Sequence, residues 1–190
     1  WARGRPPSIA YLGQLTEFDR RFPIRVRDLA AMGAWRGLGW RSRLNAAHER
    51  AIDGALEDAG IADIADRPLH ELSSGQLQRA LFARTIVQDA RLILLDEPFA
   101  AVDQATEAEL MKLITRWSQD GRAVIVVLHD LSAVLRLAPR ALLLGGGDAL
   151  FGAPDAVLTG ANLVTYGYLS DAQMRWLEGV AATAGAPAHV

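Results

Sequence analysis

The chain has no cysteine, which excludes disulfides, zinc–thiolate sites and thiol catalysis. Its only lysine is Lys112, so chemistry that needs a lysine elsewhere in these residues is excluded too. No apolar run approaches the ~18 to 20 residues of a membrane-spanning helix. No apolar segment follows Trp1-Ala2-Arg3-Gly4-Arg5, as a secretory signal would require. A positive excess is also missing. The net charge is -2, without the basic face or tail of an electrostatic nucleic-acid binder. The rest is ordinary for a globular chain with a real core: 51% hydrophobic and 22% charged over 190 residues, enough for one domain or one domain plus a small lobe.

Taken in order, Ser8 to Leu12 is a short apolar run between Pro6-Pro7 and Gly13, which predicts a strand ending near Gln14. Apolar residues from Val26 to Trp35 recur at helical spacing. Leu44 to Ala59 does so more clearly, giving an amphipathic helix that stops at Gly60. A helix from Ser73 to about Gln88 follows. Leu92 to Leu95 is apolar on both faces and predicts a strand in a sheet covered on both sides. Thr106 to Gln119 is a helix with Leu110, Leu113, Ile114 and Trp117 along its stripe. Ala123 to Leu128 is a second continuous apolar strand, then comes a helix from Leu131 to Leu137. Ala141 to Leu144 and Ala149 to Phe151 flank Gly145-Gly146-Gly147 as an antiparallel hairpin. Asp155 to Leu158 opens a last helical turn, and the tail after Gly179 reads as frayed. Alternating strands and helices from 92 to 137 predict a parallel α/β sheet.

Two stretches carry chemistry. Leu72-Ser73-Ser74-Gly75-Gln76 reads as a helix start that offers N–H groups and a hydroxyl to an anion. The strand Leu92–Leu95 ends in Asp96 and Glu97, one carboxylate suited to Mg²⁺ and one to orienting a water. Together they point to nucleotide hydrolysis. Taken singly, each has a plain structural reading. Ser73 is also a good N-cap, the acids could be surface residues at a strand end, and Gln14 and His129 could be ordinary residues at strand termini.

These residues resemble the ATP-binding subunit of ABC transporters. Leu72 to Gln76, continued by Gln78-Arg79, is similar to the LSGGQ signature, and Leu92 to Glu97 resembles the Walker B strand with its catalytic glutamate. Ala101-Val102-Asp103 stands at the D-loop, His129 at the switch histidine and Gln14 at the Q-loop glutamine. The text around them, Ile9-Ala10-Tyr11-Leu12-Gly13-Gln14, Phe22-Pro23-Ile24 and Phe151-Gly152-Ala153-Pro154, is similar to the ATPases of manganese, zinc and iron-chelate importers.

The resemblance implies a P-loop NTPase fold of α/β class: an incomplete RecA-like parallel sheet, a helical subdomain and a C-terminal hairpin. It divides the chain into 1–15 (end of an N-terminal core, with the Q-loop), 16–88 (helical subdomain with the signature), 89–160 (RecA-like core) and 161–190 (C-terminal tail). It implies ATP and Mg²⁺ as ligands. Asp96 and Gln14 would hold the metal, Glu97 would polarise the attacking water, and His129 and Gln14 would meet the γ-phosphate. Ser73, Gly75 and Gln76 would face a nucleotide bound by a second copy, and Asp103 is a further implied nucleotide-binding residue. Implied partners are a membrane permease, a second ATPase subunit forming a homodimer and, indirectly, an extracytoplasmic solute-binding protein, with no nucleic acid. The implied location is the cytoplasmic face of the membrane.

Ser74 departs from the signature, which has Gly there. If that backbone needs φ > 0 or close approach to a phosphate, function is expected to weaken. Arg84 is expected on a solvated helix face. The Trp35 to Trp40 patch suits a partner surface or the lobe itself. No G-x-x-x-x-G-K-[S/T] loop occurs in these residues, and that loop holds the β- and γ-phosphates in this family. The Trp start favours a longer chain whose preceding segment supplies it over a product that is itself short. The 190 residues alone are therefore expected neither to bind ATP tightly nor to hydrolyse it, and to be poorly soluble or partly unfolded. The rival functions are a soluble, non-transport ABC ATPase and a non-catalytic cassette that lends only its signature face.

Overall fold

The computed structural model describes residues 8–15, 19, 22–37, 43–100, 102–170 and 172–174. The chain forms two compact units, residues 1–129 and 130–190.

The first unit is built on a parallel three-stranded sheet in the order β1 (Ile9–Leu12), β2 (Leu92–Asp96), β3 (Ala123–Val127). Tyr11 pairs with Leu94 and Leu94 with Ile125. Side chains alternate faces along each strand. One face carries Ala10, Leu12, Ile93 and Leu95, all at most 1% exposed. The other carries Ile9, Tyr11, Ile125 and Val127, which are 45 to 55% exposed. The expected two-sided cover is therefore found on one face only, because among the described residues no helix shields the second. The apolar run of β2 signals burial on both faces, but its neighbours decide how much each face receives.

The covered face packs on helices α3 (Ser74–Val87) and α4 (Gln104–Gln119), and α1 (Val26–Ala31) and α2 (Ala46–Asp58) pack in turn against α3. α4 buries the predicted stripe Leu110, Leu113, Ile114 and Trp117, and Trp117 stacks on Phe82 of α3 at 5.8 Å. α2 ends at Asp58, and Gly60 follows with φ +66°, the left-handed turn that glycine allows. The helix predicted from Val26 to Trp35 stops sooner. At Met32 it tightens into a 3-10 segment, Met32–Gly37. Gly33 lies so close to the Arg84 carbonyl of α3 that a Cβ there would collide with it. Trp35 is exposed, and the rest of the Trp35–Trp40 patch falls largely outside the described residues.

The second unit holds α5 (Leu131–Leu137), the hairpin β4 (Ala141–Gly145) and β5 (Asp148–Gly152), α6 (Pro154–Val157) and α7 (Gly160–Thr165). Gly146 and Gly147 both have positive φ, as a tight two-residue hairpin turn demands. α7 was not expected after residue 158. Its signal is Thr159, whose hydroxyl accepts from the Asn162 N–H at 3.3 Å. The predicted frayed tail lies outside the described residues.

Candidate functional site

In a parallel sheet, ligands bind beyond the carboxyl ends of the strands. Three such ends meet here. Gln14 follows β1, Glu97 follows β2 and His129 follows β3. Gln14 Nε2 donates to Glu97 Oε1 at 3.0 Å, and His129 Nε2 lies 2.7 Å from the same oxygen. Glu97 Oε2 has no partner among the described residues, so it is left to accept from a water. His129 is 77% exposed and Glu97 26%, so the cluster opens to solvent through the histidine.

Glu97 has φ +48°. A non-glycine residue in this region stores on the order of 1 to 3 kcal/mol of strain and persists only where its surroundings dictate it. Here the Glu97 N–H donates to the Val127 carbonyl at 3.1 Å, and the Ala100 N–H closes the turn on the Glu97 carbonyl at 3.0 Å. The strain turns the carboxylate out of the strand line toward Gln14 and His129.

Asp96 ends β2, and its Oδ2 accepts from the Tyr11 hydroxyl at 3.5 Å. Its carboxylate and the Gln14 amide oxygen are hard oxygen donors, which fit Mg²⁺ with water and phosphate filling its other positions. Among the described residues no group of three or more His, Cys, Asp or Glu could hold a metal ion.

The signature stretch begins α3 and is closed on itself. Ser73 Oγ accepts from the Gln76 N–H at 3.2 Å, and Gln76 Oε1 accepts from the Ser73 N–H at 3.0 Å, a capping box. Ser74 is the first residue of α3 and has no positive φ, so the backbone strain feared for it is absent. Gly75 faces Thr106 at ordinary packing distance. Asp103 caps α4, accepting from the Thr106 N–H at 2.8 Å and the Thr106 hydroxyl at 3.0 Å. Those bonds, the backbone one first, hold its carboxyl below the ordinary value. The structure thus brings Gln14, Glu97 and His129 together, with Asp96 beside Glu97. It places Ser73, Gly75, Gln76 and Asp103 at two neighbouring helix starts.

Arg84 corrects an expectation. It is half-buried rather than on a solvated face: burial pulls its guanidinium below the ordinary value, and Nη2 donates to the Tyr11 carbonyl at 3.3 Å. Its signal was helical phase, since it falls between the buried Ala83 and Thr85. Gln78, which continues the signature stretch, is 1% exposed.

The chain is similar to known proteins in sequence and in fold. The ABC transporter family pattern matches residues 3–100. The zinc transport system ATP-binding protein TroB of Treponema pallidum is 40% identical over 146 residues, 74% of this chain and 55% of that protein. The manganese transport system ATP-binding protein MntB of Listeria innocua is 40% identical over 126 residues, 66% of this chain and 52% of that protein. The chain thus spans about half the length of these curated relatives. A solved structure described as an inward-facing metal-chelate type ABC transporter superposes with a TM-score of 0.77 at 29% identity, over 86% of this chain and 65% of that one. The ADP conformation of MJ1267, an ATP-binding cassette of an ABC transporter, shares the fold at a TM-score of 0.70 and 18% identity, over 86% of this chain and 69% of that one. The chain belongs to the ABC transporter family, and its fold is the P-loop ATPase fold of that family.

Proposed function

We propose that this chain forms part of the ATP-hydrolysing subunit of an ABC importer for a metal ion or metal chelate of the manganese, zinc or iron type. The observation that carries the reading is the convergence of Gln14 and His129 on one oxygen of Glu97, with the other oxygen left for a water. The similarity to zinc and manganese transport ATP-binding proteins supports the cargo class.

In this reading Glu97 Oε2 accepts a hydrogen bond from the attacking water and draws charge onto it. Gln14 and His129 fix the carboxylate so that little reorganisation remains at the moment of attack. His129, exposed at the rim, is placed to meet a γ-phosphate. Asp96 and Gln14 would hold Mg²⁺, which supplies charge neutralisation to the phosphates. Ser73 and Gln76 would turn their hydroxyl and N–H groups toward a nucleotide held by a second copy. The partners would be that second copy, a membrane permease and, indirectly, a solute-binding protein, with the subunit on the cytoplasmic face of the membrane. Among the described residues no helix is long and apolar enough to cross a membrane, so a permease would provide the path.

The test uses the complete gene product, with Mg-ATP turnover and cellular uptake of radioactive manganese, zinc and iron as readouts. The expected result is turnover abolished by Glu97→Gln, and uptake of one of these metals lost on gene deletion and restored by the wild type. Turnover indifferent to Glu97→Gln would sink the catalytic assignment. Unchanged uptake of all three metals would sink the cargo assignment.

A further inference from the structure

Gln78 lies one turn into α3 and is 1% exposed. Its Nε2 donates to the Pro98 carbonyl at 2.7 Å, across 20 residues of sequence. Its Oε1 is buried and has no hydrogen-bond partner. Proline has no N–H, so that carbonyl is the one backbone polar group Pro98 owns. It belongs to the Pro98–Phe99 peptide, one residue beyond Glu97, inside the turn that the Ala100 N–H closes on the Glu97 carbonyl.

A half-satisfied buried amide is a poor choice for packing alone. An apolar side chain of similar shape would leave no orphaned oxygen. What the amide adds is a hold on the Pro98 carbonyl, and through it on a left-handed Glu97 that needs outside support to stay in place. Gln78 also follows Ser74 by four residues, so it stands directly over the first turn of α3. That first turn holds the capping box of Ser73 and Gln76.

We propose that Gln78 is a positioning residue that ties the turn carrying Glu97 to the signature end of α3. Engagement of a phosphate by Ser73–Gln76 then reaches the carboxylate of the same chain through one helical turn and one hydrogen bond. In a dimer the signature faces the other copy's nucleotide, so the tie couples two hydrolytic sites. That last step rests on the proposed ATPase function; the tie itself does not.

The experiment takes the complete gene product with Gln78→Met, and with Thr85→Val as control. Thr85 is equally buried on α3 but bonds only within its helix, to the Leu81 carbonyl at 3.0 Å. The readouts are amide hydrogen exchange, kcat, KM for ATP and the Hill coefficient. In Gln78→Met the Glu97 and Ala100 amides exchange about tenfold faster while the α3 amides stay within about twofold. kcat falls about tenfold with KM little changed, and cooperativity in ATP is reduced. Thr85→Val shows none of this. If Gln78→Met does not fold, Gln78→Asn keeps the amide but cannot reach Pro98 and gives the same readouts. Unchanged exchange at Glu97 and Ala100, or a parallel rise along α3, overturns the proposal. A wild type without turnover, in which Gln78→Met still frees Glu97, supports the tie and removes the ATPase reading. A wild type that turns over while Gln78→Met alters neither exchange nor kcat does the reverse.

Discussion

The strand-end cluster and the start of α3 satisfy their polar groups in opposite ways. At the strand ends, residues 14, 97 and 129 come from three separate strands to share one carboxylate oxygen. At the start of α3, Ser73 and Gln76 are three residues apart and bond to each other. The first arrangement exists only because the sheet is folded. The second would form in any chain that starts a helix there. In the proposed function the cluster would therefore meet a ligand already arranged, and the signature turn would have to exchange bonds it already owns for bonds to a phosphate.

The largest effect expected from this contrast is at Glu97. Glu97→Gln in the complete gene product should reduce Mg-ATP turnover by about 10²- to 10⁴-fold while nucleotide binding by titration is retained. Comparable turnover would mean that the cluster is arranged but idle. Next comes Leu95→Ala, two residues before Glu97 and 1% exposed. It should cost about 2 to 5 kcal/mol of stability and loosen the Glu97 and Ala100 amides in hydrogen exchange. The capping box should survive it, and loss of protection at both places would erase the distinction between distant and local assembly. Ser73→Ala should cost about 1 kcal/mol in denaturant melts, and Ser73→Gly only a few tenths. A larger loss would show that the signature turn supports more than its own helix.

The smallest effect is at Asp103, also locally satisfied. Its native pKa lies below the ordinary 3.8, so its stabilisation is full above that value and disappears as pH falls through the lower native value. Wild type and Asp103→Asn should therefore differ in melting temperature near neutrality and converge in strong acid. A gap that widens on acidification would reverse the sign.

What could be read from the sequence follows the same division. The Ser73 cap, the α4 stripe, the glycine stop at residue 60 and the hairpin turn depend on near neighbours, and each was legible. The residues of the strand-end cluster could be named individually, because strand ends and motif spacing announce them. Their sharing of Glu97 Oε1 could not be read, since it depends on strand order. Arg84 and Gln78 were opaque for a related reason: a polar residue on a helix looks solvated until the strand or turn packed against it is known. The sheet's bare face was hidden because an apolar strand reads the same whether one or both of its sides are covered.

If Glu97 polarises the attacking water as proposed, its left-handed backbone sets durability against turnover at a single position. Glycine would adopt that conformation without steric cost and would relax the turn, yet it carries no carboxylate. Selection for heat resistance alone would therefore favour the residue that ends the chemistry, whereas a β-branched residue would satisfy neither demand. Glu97→Gly separates the two pressures: a protein that melts higher and no longer turns over would show how much rigidity the site gives up to keep its acid.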